Sequence, residues 1–163
     1  SASKLSNVTV HNTALSNVQG QATLNIPRTG GPEATALASL SNQFSEAETL
    51  SVNLQTLDSF RFPEVDLIKI DVEGHELEVL QGGQETLKRE LPTLIIEIEQ
   101  RHHPSSGIED IFNFLDTLGY HGNFLQHGQM MDLGRFDLEK HQGTSDPRSP
   151  EYINNFIFRT TQN

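Results

Sequence analysis

The chain has 163 residues, a formal net charge of −11, 34% hydrophobic residues and no cysteine. That length suffices for one domain with a real core, and the acidic balance argues against nucleic acid or an anionic membrane as a general partner while leaving room for a small phosphate-bearing ligand. The lack of Cys excludes disulfides, thiolate metal sites and a cysteine nucleophile, and no run has the ~18 apolar residues of a membrane helix or the pattern of a signal peptide.

Val8 to Leu15 is predicted as a strand from its β-branched residues and alternation. Asn17 to Gly20 is a turn, and Gln21 to Ile26 a second strand stopped by Pro27. Arg28 to Pro32 and most of the polar stretch Glu33 to Glu48 read as loop. Leu50 to Leu54 alternates as a half-exposed strand does, and Thr56 to Phe60 starts a short helix or turn. Leu67 to Ile70 is nearly continuous apolar sequence, the pattern of a strand covered on both faces of a parallel sheet.

A helix is predicted from about Gly74, with Leu77, Leu80, Leu87 and Leu91 on one face. Gly82-Gly83 interrupts it and Pro92 blocks its continuation. Leu94 to Ile98 is the second buried strand, completing a βαβ unit. Ser106-Gly107-Ile108-Glu109 is a capping box that opens an amphipathic helix through Leu118, ended by Gly119. Tyr120 to Leu125 and Met130 to Leu133 are strands around a His127-Gly128 turn. A polar loop from Gly134 to Pro150 precedes a closing strand, Asn155 to Thr160. The class is α/β, with parallel strands first and antiparallel strands at the carboxyl end.

Two carboxylates stand out. Asp71 ends the first buried strand and Glu97 lies near the end of the second. If those strands are neighbours, ~4.8 Å apart, both carboxylates face one cleft and can serve as a general base, as metal ligands or as a field favouring a cation. An apolar strand bears a carboxylate only at a cost, unless the carboxylate has a partner or a purpose. Glu73, Glu76 and Glu78 are read chiefly as acidic residues favoured near a helix N-terminus. His75 and His102-His103 can reach the same cleft edge; His11, His121, His127 and His141 are expected on the surface. A zinc-protease reading of His75-Glu76 fails because position 79 is Val. Lys69 is expected to snorkel to an edge or to pair with Asp58 or Asp66. No glycine-rich nucleotide loop or nucleophile elbow is present.

The stretch Leu57-Asp58, then Asp66-Leu67-Ile68-Lys69-Ile70-Asp71-Val72-Glu73-Gly74-His75-Glu76, then Val79-Leu80-Gln81-Gly82-Gly83, then Pro92-Thr93-Leu94-Ile95-Ile96-Glu97-Ile98 resembles the FkbM family of S-adenosylmethionine-dependent methyltransferases. The resemblance implies a Rossmann-like class I sheet in the order 3-2-1-4-5-7-6. By that likeness Val8 to Thr13 is the third strand, Leu67 to Ile70 the fourth and Leu94 to Ile98 the fifth. The first two strands, with the glycine-rich turn and the ribose-binding acid, are expected upstream of Ser1. The chain is therefore expected to be a single, incomplete methyltransferase domain over 1–163 that lacks half its cofactor site, is inactive alone and self-associates through exposed sheet edges.

The same likeness implies S-adenosylmethionine as cofactor and a small-molecule or glycan hydroxyl as acceptor, in the cytoplasm. It assigns Ala14, Leu15 and Ser16 to the adenine side and Asp71 and Val72 to the floor below the reactive methyl. Asp71, Glu73, His75 and Glu97 line the acceptor side, with Asp71 or Glu97 as the base. Two other readings stand beside it: a non-catalytic α/β binding or assembly module, and a divalent-metal hydrolase built on Asp71 and Glu97.

Overall fold

A computed structural model describes residues 6–27, 40, 47–103, 107–143 and 146–161. The described chain forms two sheets. The smaller contains β1 (Ala14–Leu15), β2 (Gly20–Pro27) and β3 (Ala47–Gln55) in the order β1-β3-β2. β2 and β3 form an antiparallel pair from Gly20↔Leu54 to Pro27↔Ala47, and β1 runs parallel to β3. The alternation of Ala22, Leu24 and Ile26 against Val52 and Leu54 makes one face of this pair half-buried.

The strand expected over Val8 to Leu15 shrinks to Ala14–Leu15. Val8 and Val10 are exposed, Val10 by 88%. β-branched residues favour a strand only where a pleated, half-buried surface receives them, and here only the last two residues find a ladder.

The larger sheet holds β4 (Leu67–Ile70), β5 (Thr93–Glu97), β6 (Tyr120–Gln126), β7 (Gln129–Asp132) and β8 (Asn155–Thr160) in the order β4-β5-β8-β6-β7. β4 and β5 are parallel; β8 pairs antiparallel with both β5 and β6. The run β4-β5-β8-β6 corresponds to the 4-5-7-6 part of the expected order, and β7 adds a further strand through a hairpin turning at His127 and Gly128, both at positive φ. β4 differs from expectation. It stands at the sheet edge among the described residues, with Leu67 55% exposed and only Ile70 buried.

Helix α1 (Leu57–Phe60) leads into β4, and the helical stretch after β4 is divided at Gly82-Gly83, where the sequence interrupts it, into α2 (Glu76–Gln81) and α3 (Gln84–Glu90). The break has a packing cause. A Cβ on Gly82 would overlap the Ser16 carbonyl oxygen, and one on Gly83 would lie 2.9 Å from Leu57 Cδ2. Gly83 has no side chain to cap α3, so Asp58 does it. Its carboxylate accepts from Thr86 N–H at 2.8 Å, Glu85 N–H at 3.1 Å and Thr86 Oγ1 at 2.7 Å. Asp58 is therefore a helix cap and not the partner of Lys69.

Helix α4 (Glu109–Thr117) buries Ile111 and Leu115 against the sheet. The Ser106 of its expected capping box lies outside the described residues, and Ile108 holds the N-cap position. The core is Leu80, Leu87, Leu94, Ile96, Phe124, Phe156 and their neighbours. His141 belongs to it: 1% exposed, its ring lies 5.5 Å from Phe124 and 5.2 Å from Phe136, and its Nδ1 accepts from the Asp137 N–H at 3.0 Å. Burial pulls its pKa down, so the surface position expected for it is corrected to a neutral core histidine. Among the described residues no helix is long and apolar enough to cross a membrane.

Candidate functional site

The turn after β4 is shaped by two successive positive φ angles, 54° at Glu73 and 97° at Gly74. Gly74 is required twice, by its φ and because a Cβ there would lie 2.8 Å from the His102 carbonyl oxygen. Its N–H donates to Glu76 Oε1 at 2.9 Å, and Glu76 Oε2 faces His103 Nε2 at 2.8 Å. Both side chains are buried, 2% and 7% exposed. The two atoms are in close contact, and this contact joins the turn after β4 to the segment after β5. Burial alone would raise the Glu76 carboxyl, but His103 and the Gly74 N–H hold it below the ordinary value. Glu73 Oε2 meets His102 Nδ1 at 3.1 Å. Glu73 and Glu76, read chiefly as helix-dipole residues, thus tie the turn after β4 to the segment after β5.

A pocket of about 310 Å³ opens where β1 and β4 end. Thr13, Ala14, Leu15 and Leu24 line one side, and Asp71, Val72 and His75 the other. Ser16 is buried behind it: its N–H donates to the Gln55 carbonyl at 2.9 Å and its Oγ lies 3.0 Å from His75 Nε2. The other ring nitrogen, Nδ1, is 3.6 Å from Glu78 Oε2. Asn17 Nδ2 donates to Gln81 Oε1 at 2.8 Å, so two polar contacts and the bare Gly82 backbone join the small sheet to α2. The structure thereby brings Ala14, Leu15, Asp71 and Val72 together and sets His75 with them, beside the residues expected on the adenine side.

Glu97 lies next to Asp71 because β4 and β5 are in register, Ile70 opposite Ile96. Lys69 stands between the two carboxylates, its Nζ 3.6 Å from Asp71 Oδ2 and 4.0 Å from Glu97 Oε2; Asp66 is not its partner. Asn154 Nδ2 donates to Glu97 Oε1 at 2.9 Å and to Glu99 Oε1 at 3.0 Å. Tyr152 Oη donates to Glu99 Oε2 at 2.7 Å, and Arg101 pairs with the same oxygen. The two carboxylates are pushed in opposite directions. Burial and then the Asp71 charge raise Glu97, whereas Glu99, despite its burial, is lowered by the Asn154 and Tyr152 donors and by Arg101. Glu73 is raised by burial and by Asp71, Glu99 and Glu97.

Sequence reasoning missed Glu99, Asn154 and Tyr152. Glu97 and Glu99 sit two apart at a strand end, so they share a face, a signal that was available. Asn154 precedes β8 and carries no pattern of its own. Among the described residues no group of three or more His, Asp or Glu could hold a metal ion.

The fold and this site define an α/β protein whose pocket and carboxylates gather at the carboxyl ends of strands, where open sheets of this class bind ligands. Residues 2–121, well over half of the chain, match the family model of the methyltransferase FkbM domain, and the chain belongs to that family. The crystal structure of the methyltransferase FkbM from Methylobacillus flagellatus KT is similar over 94% of this chain, with a TM-score of 0.51 and 17% sequence identity. At that identity the likeness is one of fold. This chain spans 28% of that one. Comparison with curated proteins gave no match.

Proposed function

We propose that the chain acts as an S-adenosylmethionine-dependent methyltransferase on a hydroxyl of a small molecule or glycan. The observation that carries the reading is the pocket between β1 and β4, where Ala14 and Leu15 face Asp71, Val72 and His75. Its donor set suits such a cofactor: apolar walls from Ala14, Leu15, Leu24 and Val72 for a flat base, with polar groups of Asp71 and His75 at the edge. When bound, the cofactor supplies a methyl on an electrophilic sulfonium.

This chain's own residues then orient the acceptor and handle its proton. Asp71, half-exposed at the pocket wall, holds the acceptor hydroxyl, and Lys69 fixes Asp71 and Glu97 relative to each other. Glu97, beside Asp71 at the neighbouring strand end, is the proton acceptor; burial and the Asp71 charge raise its carboxyl above the ordinary value, the direction that favours a base. The belt of Glu73–His102 and Glu76–His103 contacts keeps the two strand ends in register, which is what near-attack alignment demands.

The test is transfer of labelled methyl from S-adenosylmethionine to a panel of sugars and hydroxylated small molecules. It is run on this chain and on one extended upstream in its gene. Transfer that falls at least about 100-fold in Glu97→Gln, with cofactor affinity kept, supports the assignment. Transfer unchanged in that variant removes Glu97 from the chemistry, and cofactor-independent hydrolysis that requires a divalent metal would replace the whole reading.

A further inference from the structure

Asn154 is held at its backbone carbonyl and at both ends of its side-chain amide. Its carbonyl oxygen accepts from the Ile98 N–H at 2.7 Å, and its side-chain oxygen accepts from Asn155 Nδ2 at 2.9 Å. The second bond fixes which way the amide faces: oxygen toward Asn155, nitrogen toward the carboxylates. A primary amide nitrogen carries two N–H donors, and here one lies on Glu97 Oε1 and the other on Glu99 Oε1. No other side chain of this length supplies two donors from one atom without charge.

The arrangement solves a local problem. Glu97 and Glu99 project from the same face of one strand end, and Asp71 and Glu73 add two more acidic groups nearby. The Asn154 amide puts a donor between the two like charges. Glu99 has Tyr152 and Arg101 on its other oxygen and needs no freedom. Glu97 keeps its Oε2 toward Lys69, on the Asp71 side.

We propose that Asn154 is a positioning residue for Glu97: one amide holds the two carboxylates side by side and aims the other oxygen of Glu97 at the Asp71–Lys69 edge of the cleft. The proposal rests on the methyltransferase reading for its catalytic meaning, but its geometry can be tested apart from activity.

The experiment follows the Glu97 carboxyl carbon by NMR titration in protein with labelled glutamate, its signal assigned by its loss in Glu97→Gln. Asn154→Asp, nearly the same shape, replaces two donors with a third carboxylate and should raise the Glu97 midpoint by about one pH unit or more. Asn154→Ala should raise it less. Tyr152→Phe, which removes a donor from Glu99 alone, should move Glu99 directly and Glu97 only through its neighbour, by less than either Asn154 variant. Melting curves on all three establish folding, and Asn154→Ala carries the test should Asn154→Asp fail to fold. A Glu97 midpoint unchanged in the folded Asn154 variants, or moved as much by Tyr152→Phe, overturns the proposal. S-adenosylhomocysteine affinity is measured alongside and should be the same in wild type and variants. If the Glu97 midpoint shifts as expected but neither this chain nor the full-length product of its gene binds that probe, the positioning stands and the methyltransferase reading is what fails.

Discussion

The two sheets are built on different terms. In the five-stranded sheet Leu94, Ile96, Phe124, Phe156 and Phe158 are almost wholly buried, and helices α2 to α4 pack on them. In the three-stranded sheet Leu50 is 53% exposed, and Leu15 is its one hydrophobic residue that packs against the core, among the described residues. The large sheet is held by buried apolar area, at roughly 25 cal/mol per Å². The small one is held by a β2–β3 ladder and by a few contacts at Ser16 and Asn17. The candidate pocket lies on the seam between them. Stability therefore resides mostly in one region and ligand geometry in the contact of both, so substitutions should separate the two properties.

Four predictions sharpen that contrast. Within the large-sheet region, Glu76→Ala leaves His103 buried without its carboxylate and should cost about 3–5 kcal/mol in denaturant unfolding. A cost under about 1 kcal/mol would mean that the pair is not a cross-link. At the seam, Gly82→Ala forces a methyl into the Ser16 carbonyl and should cost about 1–3 kcal/mol. It should weaken S-adenosylhomocysteine binding by more than its stability cost alone explains, because β1 must move. Equal affinity in a folded Gly82→Ala protein would uncouple the small sheet from the pocket.

Asp58→Ala removes the cap of α3 and should cost about 1–2 kcal/mol with ligand binding kept, a pure stability effect. The smallest effect is on the pH profile. The folded-state carboxyl of Glu97 is raised, so folding stability falls as pH rises from the ordinary Glu value through the folded one. Glu97→Gln should remove that fall, so its melting temperature should gain on wild type at pH 7 but not near pH 4. Glu76 and Glu99 act in the opposite sense: their lowered carboxyls stabilise above the ordinary Glu value, and that contribution is lost as pH falls through their folded values. A profile in which Glu97→Gln loses stability at pH 7 would reverse the sign assigned to its surroundings.

The large sheet was readable because its strands are apolar runs, which at β5 and β8 mark burial and at β4 mark position in the sheet without it. The apolar runs at Leu67 to Ile70 and Leu94 to Ile98, and the closing strand at Asn155 to Thr160, all appear within a residue or so of where periodicity puts them. The small sheet was read less well because its strands are surface features, and Val8 to Thr13 has the composition of a strand without a ladder to join. Gly74 and Gly82 show the limit from another side. Gly74 was read as a helix start and Gly82 as a break, but the reasons for both glycines are the backbones of His102 and Ser16, far away in the chain. His141 looked like a surface residue because nothing local records the two phenylalanines around it. Of the site, Asp71 and Glu97 could be paired from strand order alone, whereas Asn154 acquires its place only when β8 lies beside β5.

The central claim, that the seam between β1 and β4 is a cofactor pocket, is tested most directly by calorimetric titration with S-adenosylhomocysteine. The titration is made on this chain and on one extended upstream in its gene, each compared with its Gly82→Ala variant. The account predicts saturable binding by the longer chain at least, weakened by the substitution. Absence of binding in both chains, or binding indifferent to Gly82, would contradict it and leave a non-catalytic module built on the same scaffold.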